Sequence, residues 1–294
     1  MTNPADTLLR HVFDSMAVEV EVFVDDAPAS VGERLSAVER EFARLEAIFS
    51  RFSPRSELSR LNAAGRLVVG DDLLTLTELA LEARARTGGL VDPTVHGALV
   101  AWGYDRTFAD VLGGERREPA VVPACGGSVH VDRAASTVEL EHGVTLDFGG
   151  LAKGYAVDRA CDILGGRCLV NAGGDLALRS PDGEPWAVGV ELPERTLTLH
   201  VSGGAVATSG TAVRRWRAGD VDAHHLIDPR TCAPSHSDLV RATAWGATAV
   251  EAEIRAKTLF LLGAVEGAAR ADAEGIPAVL VPAEGDAVLA GGLE

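Results

Sequence analysis

The chain has 294 residues, 47% of them hydrophobic, enough to bury a substantial core as one large domain or as two lobes sharing one. A net charge of −16 and a pI near 4.9 argue against nucleic acid or an anionic membrane surface as partner, since both require a basic face. A small anionic ligand needs only a local concentration of positive charge.

The amino-terminal residues 1–24 hold no apolar run of signal-peptide type, no lipobox-like cysteine and nothing long enough to anchor in a bilayer, so a cytoplasmic protein is expected. Within them Val18, Val20, Val22 and Val24 alternate with acidic residues, the period of a half-buried strand. Ser30 is placed to cap a helix in which Val31, Leu35, Val38, Phe42, Leu45, Ile48 and Phe52 recur at helical spacing, ending before Pro54. SPRSELSRLN (53–62) and GGLVDPTV (88–95) read as polar loops on either side of a helix over 72–87, which Gly88-Gly89 stops. The stretch 105–145 is turn-rich, with short strands near 128–132 and 137–146, and reads as a connection between two lobes.

An apolar strand then turns into a helix through TLDFGGLAKGYAVD (145–158), spending three glycines and a lysine. Such a turn lets a backbone approach a ligand closely, and the helix start offers free N–H groups to an anion. Its spacing matches neither a phosphate-binding Walker loop nor a dinucleotide fingerprint. The helix over 152–164, with Ala156, Val157, Ala160, Ile163 and Leu164 inward, is stopped by Gly165-Gly166. CLVNAGGDLAL follows as strand, glycine turn and strand; WAVGVEL, LTLHVSGGAVATSG and HHLIDP continue an antiparallel series. A helix over 248–263 and a strand over 277–282 close the chain. Strand runs broken by helices, without βαβ alternation, indicate an α+β fold with mainly antiparallel sheets.

Two features concentrate chemistry. Of 27 basic residues only Lys153 and Lys257 are lysines, which suggests positions that need a compact point charge rather than a planar fork. Cys125, Cys161, Cys168 and Cys232 form no C-x-x-C pair, so reduced, mostly buried thiols are expected.

Four stretches, FGGLAKGYAVD, VNAGGD (170–175), VATSG (206–210) and HHLIDPRT (224–231), stand in order behind SPRSELSRLN and VDPTV. This ordered set resembles the ApbE family, the FAD:protein FMN transferases, along nearly the whole chain. The resemblance implies a single ApbE-like domain over 1–294 with a T-fold-related architecture and FAD bound between two lobes. It further implies attack on the FAD pyrophosphate by a threonine or serine hydroxyl of an acceptor flavoprotein, beside a magnesium ion, with AMP leaving.

Carried onto matching positions, Lys153 faces the nucleotide as a cation, and Gly149, Gly150, Gly173 and Gly174 admit its backbone, next to Asp175. Thr208 and Ser209 are small donors to the ligand, or else a plain turn. His225 is the candidate base and Asp228 the group that orients it or the acceptor. His224 is secondary, and Arg230 is a turn or ligand contact. Asp158 accepts from the ligand or is an ordinary helix acid, and Met16 lies where the nucleotide is approached.

Several positions depart from the family pattern. Where the late helix carries an aspartate and, four residues on, a threonine that ligate magnesium with the backbone oxygen at Ala172, this chain has Glu253 and Lys257. An ammonium cannot be a ligand. The pair is either a helix ion pair of i, i+4 type, or Lys257 stands in the metal's space and neutralises the pyrophosphate. Thr258, one position on, is turned about 100° around the helix and does not replace the ligand. The family's M-G-T is Met16-Ala17-Val18, its glycine after D-P-R-T is Cys232, and TAVRRW brings Arg214 and Arg215 near the site. Three functions follow: an FMN transferase, a flavin-binding module without transferase activity, or an FAD pyrophosphatase.

Overall fold

The computed structural model describes residues 8–25, 30–113, 121–192 and 194–293. The reading of the extreme amino terminus (1–7) and the middle of the 105–145 stretch (114–120) lie outside the described residues.

β1 (Leu9–Ser15) and β2 (Val18–Val24) form a hairpin, and α1 (Val31–Phe49) follows. Then come α2 (Glu57–Ala64), β3 (Arg66–Val68), α3 (Asp71–Arg86), a 3-10 turn at Pro93–Val95, α4 (His96–Ala101) and α5 (Phe108–Gly113). β4 (Val129–Asp132) and β5 (Thr137–Leu140) precede α6 (Ala152–Leu164), β6 (Cys168–Ala172), β7 (Asp175–Arg179), β8 (Trp186–Glu191), β9 (Thr196–Val201) and β10 (Gly203–Gly210). The small hairpins β11 (Arg215–Ala218) with β12 (Val221–His224), and β13 (Ile227–Asp228) with β14 (Ala233–Pro234), lead to β15 (Leu239–Gly246), α7 (Ala249–Glu274), β16 (Ala278–Pro282) and β17 (Val288–Ala290).

Among the described residues one eight-stranded sheet runs β1-β2-β6-β7-β10-β15-β16-β17, every neighbour antiparallel. α1, α6 and α7 cover one face, and the β8–β9 hairpin covers part of the other through Trp186 and Val188 on Leu169, Leu178 and Val206. This is the α+β, mainly antiparallel arrangement expected. No helix among the described residues is long and apolar enough to cross a membrane. The four cysteines are free, Cys161 and Cys168 buried and the other two half-buried.

Several local expectations change. Glu57 to Asn62 of SPRSELSRLN are helical, not loop: Ser56 caps α2 by accepting from Ser59 N at 3.0 Å, and Gly65 at φ 71 ends it. Ser30 makes no side-chain cap, and α1 stops at Phe49, leaving Phe52 in the following turn. Residues 144–148 are not a strand, because the Asn62 amide side chain takes over both polar groups of Leu146, donating to its oxygen and accepting from its nitrogen at 2.8 Å each. The late helix does break at Gly263 (φ 83), where the Asp238 carboxylate accepts from Ala264 N at 2.9 Å, but helix resumes to Glu274. The two short strands expected within 105–145 are present as β4 and β5, the second ending at Leu140, and β5 pairs with β3 to form a small sheet.

Candidate active site

A cleft of about 520 Å³ opens at the end of the main sheet where the β6–β7 turn and the end of β10 meet the start of β15. Gly173 (φ 62) and Gly174 (φ 100) make that two-residue turn, in which both central residues need positive φ. Close packing adds a second requirement, since a Cβ on Gly173 would lie 2.7 Å from the Val18 side chain.

Gly149 and Gly150 form the opposite lip, just before α6. Asp147 accepts from Gly149 N at 2.9 Å through one oxygen and pairs with Arg51 through the other, fixing the loop. The side chain of Lys153, in the first turn of α6, reaches into the cleft, pairs closely with Asp175, and lies 3.8 Å from Glu253. Burial opposes the charge on Lys153, but Asp175 and Glu253 outweigh it and keep the ammonium protonated. Burial, reinforced by Asp175, pushes the Glu253 carboxyl up to about 8, and its Oε2 is buried without a hydrogen-bond partner.

Lys257 lies one turn beyond Glu253 on α7, and its side chain also lines the cleft. The bare Cα of Gly150 makes room for it, because a Cβ there would collide with the Lys257 ammonium. Thr208 and Thr243 face each other from β10 and β15 with hydroxyls 2.9 Å apart, and Ser209 lines the same wall. His225 follows β12 into the wall, its Nδ1 buried without a partner. Burial, then Arg214 and Lys257, hold its pKa well below 6.5, so the ring is neutral at neutral pH. Arg214 lines the cleft, whereas Arg215 is exposed and paired in register with His224.

Four expected site residues lie elsewhere. Both Asp158 oxygens cap α7, accepting from Ala249 N at 2.8 Å and Val250 N at 3.2 Å; burial pushes this carboxyl up to about 6. Asp228 does not orient His225, being engaged by the backbone N–H and guanidinium of Arg230 at 2.8–3.1 Å. Arg230 in turn donates to Leu261 O at 3.0 Å, a turn role. Met16 (φ 51) and Ala17 (φ 58) form the tight β1–β2 turn held by Glu46, and Val18 is the residue that reaches the cleft. Ala172 is fully buried in β6, off the wall. His224 is structural, donating through Nε2 to Ser235 O at 3.0 Å and accepting from Leu226 N.

Sequence reasoning missed Arg51 and Asp147. Asp147 lay within TLDFGGLAKGYAVD and Arg51 just before SPRSELSRLN, but the two are far apart in sequence and only the fold joins them.

The magnesium ion implied by the resemblance does not fit these donors. Asp175 is engaged by Lys153, Ala172 is buried in the sheet, and the Thr258 hydroxyl donates to Ile254 O at 2.7 Å. Glu253 is left as a single carboxyl group, pushed toward its protonated form by burial and with Lys153 and Lys257 beside it, whereas magnesium demands a near-octahedral shell of oxygens.

An antiparallel α+β fold thus carries a glycine-lipped cleft with two lysines and an arginine on its wall, a concentration of positive charge suited to an anionic ligand. The chain belongs to the ApbE family, whose sequence model matches residues 16–280. It is 28% identical over 256 residues to an FAD:protein FMN transferase of Vibrio cholerae, covering 79% of this chain and 74% of that protein. An FAD:protein FMN transferase of Treponema pallidum is 29% identical over 274 residues, covering 83% and 75%. The fold matches the crystal structure of the ApbE protein from Thermotoga maritima at a TM-score of 0.82 and 24% identity, over 96% of this chain and 97% of that one. It also matches the flavin transferase ApbE from Vibrio cholerae at 0.79 and 23%, over 96% and 97%.

Proposed function

We propose that this protein transfers FMN from FAD to a threonine or serine hydroxyl of an acceptor flavoprotein in the cytoplasm, releasing AMP. The observation that carries this reading is the convergence of Lys153, His225, Thr208, Ser209 and the two glycine pairs on one cleft in a chain of this family. Phosphoryl-type transfer needs neutralised charge, alignment and a base for the nucleophile. Lys153 and Arg214 supply charge, and the glycine backbone and the Thr208 and Ser209 hydroxyls supply alignment.

A neutral His225 takes the proton of the acceptor hydroxyl as its oxygen bonds to the FMN phosphorus. The bond from that phosphorus to the bridging oxygen breaks, and AMP leaves with the bonding pair. Arrival of the diphosphate offsets the cations that repel a proton from His225, so the base strengthens when substrate is bound. We read residues 1–294 as one working domain, with walls of the cleft drawn from the main core and from the smaller cluster around Leu99, Tyr104 and Ile227.

The test is incubation of the purified protein with FAD and a competent acceptor domain, following AMP release and acceptor mass. Gain of an FMN mass with stoichiometric AMP is expected. Intact FAD would make the protein a flavin binder, and AMP without acceptor labelling a pyrophosphatase.

A further inference from the structure

Resting on the transferase reading, we propose that the Lys257 ammonium is the built-in cation of the diphosphate site, so that the protein binds FAD and transfers FMN without a divalent metal. Lys257 and Glu253 are spaced for a helix ion pair, yet they do not form one. The cation within ion-pair distance of Glu253 is Lys153, at 3.8 Å. Lys257 makes no hydrogen bond or ion pair among the described residues.

A half-buried ammonium on the wall of a cleft, with no hydrogen bond to the protein, keeps its three donors free for an incoming anion. It stands over Gly150, in space that a side chain there would occupy, and near enough to His225 to bear on its charge. Both lysines of the chain therefore face one cavity, Lys153 closely paired with Asp175 and Lys257 within no hydrogen bond or close ion pair among the described residues. That inequality assigns them different work. Lys153 faces the cleft while balanced by Asp175, and Lys257 brings to the substrate an ammonium whose donors are still free.

The chemistry calls for a positive charge that offsets the diphosphate and then the leaving phosphate. A divalent ion at this place would need oxygen ligands that are committed elsewhere or absent from the wall, and it would be repelled by the ammonium. An ammonium supplies one charge instead of two and three donors instead of a coordination shell, in a position fixed by α7.

The experiment titrates FAD, and separately ADP, into the full-length protein with chelator or with magnesium, for wild type and for Lys257→Met, Lys257→Gln and Lys257→Thr. Circular dichroism establishes that each variant is folded, and Lys257→Gln preserves most of the side-chain volume. Wild-type affinity is expected to be the same, within about twofold, in chelator and in magnesium, and all three variants are expected to bind about tenfold or more weaker in chelator. Lys257→Thr is expected to regain affinity when magnesium is added.

Wild-type binding that collapses in chelator, variants that bind as wild type does, or a wild type that binds neither ligand would each overturn the proposal. Metal-independent FAD binding without transfer to a competent acceptor would overturn the transferase reading and leave the cation assignment for binding standing. Transfer that requires magnesium would do the reverse.

Discussion

Arg51 and Asp147 form a buried ion pair, Nε to Oδ2 at 2.8 Å, with both side chains less than a tenth exposed. The guanidinium also donates to Tyr104 O at 2.6 Å and lies over the Phe52 and Tyr104 rings at 4.2 and 4.3 Å. Because Asp147 also holds Gly149 N, the pair links the cleft's aromatic side to its glycine lip. Asp147→Ala leaves a buried cation unmatched and is expected to cost about 3–5 kcal/mol of stability. Urea unfolding measures this, and a loss below about 1 kcal/mol would show the pair to be solvated in solution.

His225→Ala is expected to abolish transfer while leaving FAD affinity nearly intact; full retained transfer would remove His225 as the base. Its depressed pKa also sets a pH profile. A base held well below 6.5 stays competent through neutrality, so loss of kcat/KM through protonation of His225 is expected only on the acid side, apart from any effect of Glu253 titrating near 8. The stability term has the same sign. The folded state binds a proton less readily than the unfolded chain, so its contribution is present above 6.5 and is lost as pH falls through the folded pKa. Urea midpoints of wild type and His225→Ala should therefore converge as pH drops below 6.5. A gap that widens on acidification would contradict a neutral, buried ring.

Asp158→Ala removes the carboxylate that caps α7 across from α6. We expect a loss of about 1–2 kcal/mol in thermal or urea unfolding, with FAD affinity unchanged. A tenfold fall in affinity in a folded variant would restore Asp158 to the ligand site.

Gly263→Ala places a Cβ at φ 83 and 2.7 Å from the Asp238 carboxylate that caps the resumed helix. Destabilisation of about 1–3 kcal/mol is expected. An unchanged unfolding midpoint would mean that α7 can run straight through this point.

The fold class was legible because alternation and helix stops coincide with glycine pairs, as in β6–β7 and α6. The cleft was legible where a motif residue sits at a strand end or loop that faces it, as do Lys153, Gly173, Thr208 and His225. What failed was direction. Asp158 and Asp228 belong to the right motifs, but their carboxylates are claimed by a helix start and by a neighbouring arginine, which spacing does not reveal. Met16 failed through turn geometry, since Met16 and Ala17 adopt positive φ without glycine. β1 was missed because each inward residue of an edge strand is only half-buried, so its alternation reads weakly.

The confinement of lysine to positions 153 and 257 gives the molecule a private chemical address. Apart from the amino-terminal amine, an amine-acylating reagent finds side-chain targets only on the cleft wall, and since Lys153 is held protonated by Asp175, acylation at Lys257 is expected to fall when the site is filled. A lysine-specific protease has the same two targets in the unfolded chain. Each sits within a helix of the folded one, so cleavage at them reports opening of the framework around the ligand.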